Sequence, residues 1–270
     1  KSEYKNLPAI VITFDPHPQS ILQGDNKDGW GLLMCTEKKL EIFKKHSINY
    51  VWLLPFNSDV AQITARNFLA NYIMKYFNPV DIVIGYDHHF GYKRYGDSEY
   101  LNREKVRYNY NLHVKDAIDI NDVPVSSTQI RTYLKEANLE AANRFLGREY
   151  EFKGNIVKGQ SRGRSINFPT ANIEPNIPNQ LIPARGVYCV DAVIDNCNYS
   201  GMCNIGMRPT FYEHGEQVIE VHLITDEQLS LYGKEILIKF KKFIRKEKKY
   251  ESAADLANQL QQDRFNCLPN

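Results

Sequence analysis

The chain has 270 residues, 43% hydrophobic and 24% charged, with a formal net charge of +2. That length holds two domains of ordinary size, the hydrophobic content excludes a disordered chain, and near-neutrality gives no ground for nucleic acid as partner beyond local clustering. No apolar run approaches the roughly 18 residues of a membrane span, and the opening KSEYKNLP lacks the layout of a signal peptide.

In chain order, Ala9 to Phe14 (AIVITF) is a continuous apolar run expected of a buried parallel strand, stopped by the prolines of Asp15-Pro16-His17-Pro18. Thr36 is expected to cap a helix, EKKLEIFKKH, with Glu37 in its first turn and lysines in its last, as the macrodipole favours. Tyr50 to Leu54 reads as a second strand. From Ala65 to Phe77, Phe68, Tyr72 and Tyr76 recur at spacing four beside Leu69, Ile73 and Phe77, which predicts a helix with a wide apolar face. Asp81 to Ile84 is a third strand running into Gly85-Tyr86-Asp87-His88-His89-Phe90-Gly91, and a further strand is expected near Leu112 to Ile118. Ser126-Ser127-Thr128 precedes an amphipathic QIRTYLKEA, and LEAANRFL makes a short helix ending at Gly147. Strand and helix in alternation predict a parallel-sheet α/β domain, with ligands in the crevice formed by the loops DPHP, GYDHHFG and PVSST.

After Gly147 the texture changes to short alternating stretches broken by Gly, Pro and Asn: Phe152 to Val157, Gly186 to Ile194, Ser200 to Ile205, Val218 to Ile224 and Glu235 to Phe240. These predict a small antiparallel barrel or sandwich, followed by a helix over Ala253 to Gln262. The domains are therefore expected at 1–147 and 148–270. Five cysteines (Cys35, Cys189, Cys197, Cys203, Cys267) with no CxxC pair indicate neither a disulfide framework nor a zinc site, so reduced thiols in the cytoplasm are expected.

The richest stretch chemically is Gly159 to Asn172, GQSRGRSINFPTAN. Gly159, Arg162, Gly163 and Arg164 offer backbone donors and guanidinium groups to phosphates, although such a turn alone is more often a solvated hairpin. Thr170 and Asn172, two apart in a strand, present a hydroxyl and an amide oxygen on one face, which suits Mg²⁺ already carrying phosphate oxygens. Glu220 lies between Ile219 and Val221 with His222 on its own face. It is either a general base aimed at a hydroxyl or an acid on an edge strand facing water. The basic run Lys239 to Lys249 reads as a strand and loop with a solvated face rather than a nucleic-acid patch, with Arg245 free to reach a phosphate.

Together these strings resemble the prokaryotic bifunctional riboflavin kinase/FMN adenylyltransferase family over essentially the whole chain. They are TFDPHP, a GxDxxFGxxRxGD-like segment at Gly85 to Asp97, SSTQIR, LGREYEFKGNIVKGQSRGRSINFPTANI, RGVYCV, CNIGMRPTF, IEVHLI and LYGKEILIKFKKFIR. The resemblance implies a nucleotidyltransferase-type α/β domain that joins FMN to the AMP of ATP, releasing pyrophosphate. After it would come a riboflavin kinase barrel that moves the γ-phosphate of ATP to the terminal ribityl hydroxyl. It further implies that Thr170 and Asn172 hold Mg²⁺ and ATP phosphates, that Gly159 to Arg164 close over the nucleotide, and that Glu220 is the base. Ser126, Ser127, Thr128 and Arg131 match the phosphate-contacting signature of the first domain. Phe14, His17, Asp87 and Arg245 are the candidate flavin contacts. Asp87 and His88 stand where the family usually has Asn and Phe.

The family's opening GxFDGxHxGH motif should precede TFDPHP and is not among these residues; the reading is a lost N-terminus rather than an inactive half. A polypeptide beginning at Lys1 is then expected to phosphorylate riboflavin and to make little or no FAD. The alternatives are a kinase with an inactive N-terminal scaffold, or a non-enzymatic flavin- or nucleic-acid-binding protein. Oligomeric state is left open.

Overall fold

The computed structural model describes residues 6–22, 30–158, 168–208, 216–227 and 229–268. Contacts divide the chain into two units, one of Lys1–Asp28 with Thr36–Val125 and one of Gly29–Cys35 with Ser126–Asn270.

In the first unit, β1 (Ile10–Asp15) is followed by α1 (Pro18–Leu22) and α2 (Thr36–Lys45), and pairs in parallel with β2 (Tyr50–Pro55) in an unbroken register from Ile10↔Tyr50 to Asp15↔Pro55. Beyond β2 lie α3 (Ser58–Ala61) and then α4 (Ala65–Phe68), a π turn (Leu69–Met74) and α5 (Lys75–Phe77), which together form the helix that the spacing-four aromatics predict. Trp52 of β2 packs its ring against Tyr72 and Phe77 with centroids 6.1 and 5.0 Å apart, which is why that face is aromatic. The second parallel pair is β3 (Asp81–Gly85) with β4 (Asn111–Lys115), joined by α6 (Ser98–Tyr108), whose N-cap Asp97 accepts from Tyr100 N–H at 2.7 Å. Leu69, Ile84, Leu101 and Tyr110 form the core beneath it. A short antiparallel ladder of β5 (Asp119–Ile120) and β6 (Val123–Pro124) closes the unit. The expected parallel α/β architecture is therefore present, and among the described residues it consists of two strand pairs.

The second unit opens with α7 (Ser127–Lys135) and α8 (Leu139–Leu146). Gly147 ends α8 at φ +65, a left-handed position where a side chain is strained. Asn143 ties α8 to the barrel: its amide donates to the Phe240 carbonyl at 2.9 Å and its oxygen accepts from Tyr150 N–H at 2.7 Å. The change of texture at Gly147 is thus a change of secondary structure, while both helices belong with the strands C-terminal to them.

The barrel is closed, in the order β10-β11-β8-β7-β12-β9. Its strands are β7 (Tyr150–Val157), β8 (Ala171–Pro175), β9 (Gly186–Ile194), β10 (Cys197–Arg208), β11 (Glu216–Leu223) and β12 (Glu235–Arg245), and α9 (Ala253–Cys267) comes last. Every pairing is antiparallel. Period-two alternation sends Tyr188, Val190, Cys203, Ile205, Val221, Ile236, Ile238 and Phe240 inside, all at most 1% exposed. Phe240 anchors the interior, its ring 5.4 Å from Tyr188 and 5.6 Å from Phe152.

Two attachments seat α9. Asp263, fully buried, accepts from Arg245 Nη2 at 2.7 Å and Nε at 3.0 Å, and from the Gln259 amide at 3.0 Å. Cys189 of β9 and Cys267 at the end of α9 are joined by a disulfide. This corrects the expectation of reduced thiols throughout. The bond spans 78 residues, and neither an odd cysteine count nor the lack of CxxC bears on a pair brought together only by helix docking. Cys35, Cys197 and Cys203 are not in the disulfide. The basic run is strand as far as Arg245, with exposed Lys241 bridging Asp191 at 3.1 Å.

Removing the carboxylate from the Arg245–Asp263 pair strands a largely buried guanidinium. Asp263→Ala is expected to destabilise the second unit by about 3 kcal/mol, whereas Asp191→Ala, breaking a solvated pair, is expected to cost less than about 1 kcal/mol. Urea midpoints at unchanged m-value check the contrast.

Candidate active site

Strands β10, β11 and β8 are adjacent, and their registers set Asn204 opposite Glu220 and Glu220 opposite Asn172. Because paired residues share a face, the three side chains form one polar row across the barrel's outer surface, backed inside by Cys203, Val221 and Ala171. Asn172 is buried, Glu220 and Asn204 half-buried. β11 has a neighbour on each side, so Glu220 lies on an internal strand and the edge-strand alternative falls away. Thr170 immediately precedes β8, two residues before Asn172. The row thus offers a carboxylate, two amide oxygens and a hydroxyl within one stretch of surface: hard oxygen donors fit for a divalent cation that brings phosphates, with one base beside them.

His222, two residues beyond Glu220, does not face water: it is 9% exposed. Its Nδ1–H donates to the Pro169 carbonyl at 2.9 Å, and its ring lies 5.1 Å from that of Phe168. Burial, opposed by that hydrogen bond, holds the imidazole below its ordinary pKa. On β10, a Cβ added at Gly206 would meet the Glu247 carboxylate, so this carboxylate lies against the strand near Asn204.

The other residues singled out in the sequence are dispersed. Gly159, Arg162, Gly163 and Arg164 lie outside the described residues. Arg245 shares the outer face with Val187, itself opposite Asn204, yet its guanidinium is engaged by Asp263 and lies 5.8 Å from the Tyr250 ring centroid. In the second unit Ser126 caps α7, accepting from Gln129 N–H at 3.2 Å, with Ser127 and Thr128 exposed in the first turn. Arg131 donates from Nε to the Gly31 carbonyl at 2.8 Å and sits over the Trp30 ring. Burial lowers its pKa.

In the first unit, Phe14 lies near the end of β1, edge-on to Phe56, and His17 Nδ1 accepts from Gln19 N–H at 3.2 Å. Asp87 lies just beyond β3, its carbonyl accepting from His89 Nδ1 at 2.8 Å. The structure therefore pairs Asn172 with Glu220, with Thr170 two residues before Asn172, and adds Asn204, which motif reading passed over, while His222, expected on the Glu220 face, proves buried. Asn204 lies inside the string CNIGMRPTF, but only strand pairing sets it beside Glu220.

A family model described as riboflavin kinase matches residues 146–268, and one described as FAD synthetase matches residues 1–129. A bifunctional riboflavin kinase/FMN adenylyltransferase of Bacillus subtilis is 34% identical over 270 residues, covering 99% of this chain and 84% of that one. The Escherichia coli K12 protein of the same description is 32% identical, covering 96% and 81%. A crystal structure from Streptococcus pneumoniae, described as a macrolide-efflux protein, superposes with a TM-score of 0.85 at 30% identity, over 96% of this chain and 83% of that one. Among the described residues of this chain, no helix is long and apolar enough to cross a membrane.

Gly201 and Gly206 of β10 flank Asn204. At Gly201 an added Cβ would meet the backbone oxygen of His222 at 2.8 Å, whereas at Gly206 the closest obstacle is a side-chain end. Gly201→Ala is expected to destabilise by about 2 kcal/mol and Gly206→Ala by under about 1 kcal/mol, checked by thermal or urea unfolding.

Proposed function

Since the chain belongs to the bifunctional riboflavin kinase/FMN adenylyltransferase family, which makes FMN from riboflavin and FAD from FMN, we propose that the Asn204–Glu220–Asn172 row with Thr170 is the riboflavin kinase centre. The observation that carries this is the register setting Glu220 directly beside Asn172 on the barrel's outer face.

Glu220 accepts the proton of the terminal ribityl hydroxyl as its oxygen bonds to the γ-phosphorus of ATP. The bond from that phosphorus to the bridging β-oxygen breaks, and ADP leaves. Such transfer needs positioning and charge neutralisation more than covalent help from the protein. Thr170 and Asn172 hold the metal and phosphates through neutral oxygens, and Mg²⁺, when bound, supplies the charge that offsets the phosphate oxygens. Asn204, next in the row, orients the Glu220 carboxylate. Gly159, Arg162, Gly163 and Arg164 belong to this proposal as nucleotide contacts, on the ground that they precede β8 in the chain. Arg245 does not, because Asp263 occupies it.

The adenylyltransferase step attaches the FMN phosphate to the α-phosphorus of ATP with loss of pyrophosphate. Ser126, Ser127 and Thr128 contact phosphate in this proposal, supported by their exposure at the start of α7, where N–H groups and the helix dipole favour an anion. Arg131, one turn on, carries the accompanying charge. Phe14, His17 and Asp87 are proposed flavin contacts, supported by their position at the ends of β1 and β3. The adenylyltransferase activity is assigned to residues 1–147 and the kinase activity to 148–270. Riboflavin, FMN and ATP are the substrates, and the use of ATP supports a cytoplasmic setting. No nucleic-acid partner is proposed.

Glu220→Gln is expected to lower kcat for riboflavin phosphorylation about 10²- to 10³-fold. Thr170→Ala and Asn172→Ala are expected to raise the Mg²⁺ and ATP requirement roughly 10-fold. Near-normal kinase turnover in Glu220→Gln and Thr170→Ala together would sink the assignment. In the natural protein, AMP transfer to FMN should survive both.

A further inference from the structure

The ladder between β11 and β8 is short: it contains Glu220↔Asn172 and Val221↔Ala171. Continued by one pair it would reach His222 and Thr170, and then Pro169. Proline has no N–H to donate, so the strand cannot be extended through that residue by backbone pairing alone. The carbonyl of Pro169 is instead taken by a side chain, His222 Nδ1–H, at 2.9 Å. A carbonyl only accepts, which fixes the proton on Nδ1.

The imidazole is itself held in place. It is buried, it packs on Phe168, and its backbone partner across the sheet is Met202, 4% exposed. Neighbouring Gly201 leaves room for the His222 carbonyl. Thr170 therefore sits between two fixed points. On one side Asn172 is paired to Glu220, and on the other Pro169 is tied to His222.

We propose that His222 is a positioning residue for phosphoryl transfer: by holding the Pro169 carbonyl it sets the path of residues 168–170 and so aims the Thr170 hydroxyl at the metal and phosphates bound beside Asn172. His222 touches neither nucleotide nor flavin in this role. The inference rests on the assignment of Thr170 and Asn172 as metal and phosphate ligands, and its test separates the two.

The test uses the full chain with His222→Leu, which fills similar volume without a donor, and His222→Gln, which restores an amide N–H. In His222→Leu, kcat is expected to fall about 10-fold and half-saturating Mg²⁺ to rise several-fold, the scale of loss a small displacement of a reacting group produces. Riboflavin affinity, followed by its fluorescence, is expected to stay within about 2-fold, because the flavin does not use this tether. His222→Gln is expected to recover most of the turnover. If His222 acts through Thr170, adding His222→Leu to Thr170→Ala costs little more than Thr170→Ala alone.

Wild-type kinetics in His222→Leu with a crippled Thr170→Ala would overturn the tether and leave the site standing. Wild-type kinetics in Thr170→Ala would overturn the site. Additive losses in the double variant would also overturn the tether. If His222→Leu fails to fold, His222→Ala takes its place in the same comparison: reduced kcat with a raised Mg²⁺ requirement that His222→Gln restores supports the tether, and wild-type kinetics overturn it.

Discussion

The proposed kinase centre depends on register. Glu220 alternates with Ile219 and Val221, which are 4% and 1% exposed inside the barrel. A slip of one residue between β11 and its neighbours would drive the carboxylate into that interior and expose the two aliphatic side chains. An unpaired carboxylate there costs several kcal/mol at least, so burial of the flanking pair holds the base outside. Closure of the barrel adds to this, since β11 is fixed from both sides by β10 and β8 and cannot shift without breaking two ladders. The same constraint that makes the core thus delivers Asn204, Glu220 and Asn172 in line.

The outer face also needs a boundary, and α9 supplies one. Arg245 leaves β12 after two register shifts and meets Asp263, while Cys189 and Cys267 join the far end of the helix to β9. A bidentate ion pair fixes orientation as well as distance. An arginine that the sequence offered to a phosphate therefore has a different occupation: it holds the helix that flanks the row. The bulges in β12 are what bring it opposite Val187, because an uninterrupted ladder from Phe240↔Val190 would have placed Phe243 there.

Much of this was legible in the sequence because it rests on local periodicity. The strand at Ala9 to Phe14, the aromatic helix face at Phe68, Tyr72 and Tyr76, and the barrel strands at Gly186 to Ile194 and Glu235 to Phe240 all arise from period and turn chemistry. Ser126 as a helix start and Gly147 as a helix end were equally local. What was not legible required knowing which strands meet. Asn204 is polar in an apolar strand, a signal that says outward-facing but not beside which residue. His222 looked like a solvent-facing neighbour of Glu220 because nothing in the alternation says that Phe168 and Pro169 will cover it. The Cys189–Cys267 bond and the Arg245–Asp263 pair have the same origin, since both depend on where a distant helix docks.

The composition of the row bears on the order in which its ligands arrive. Among the described residues, no group of three or more His, Cys, Asp or Glu side chains converges as a metal site. The proposed centre has one carboxylate, two amides and a hydroxyl, and neutral oxygens bind Mg²⁺ weakly unless phosphates complete the shell. A cluster of acidic residues in their place would hold the cation alone, and would then repel the polyphosphate whose terminal group must be transferred. With Thr170 and Asn172 as its neutral ligands, the proposed centre would bind the cation conditionally on the nucleotide and would leave Glu220 to the ribityl proton rather than to the metal. The polar but largely uncharged FPTAN stretch is in this sense matched to a ligand that carries its own negative charge, and the rigidity of its entry, tied at Pro169 and paired at Asn172, replaces the strength that additional carboxylates would otherwise provide.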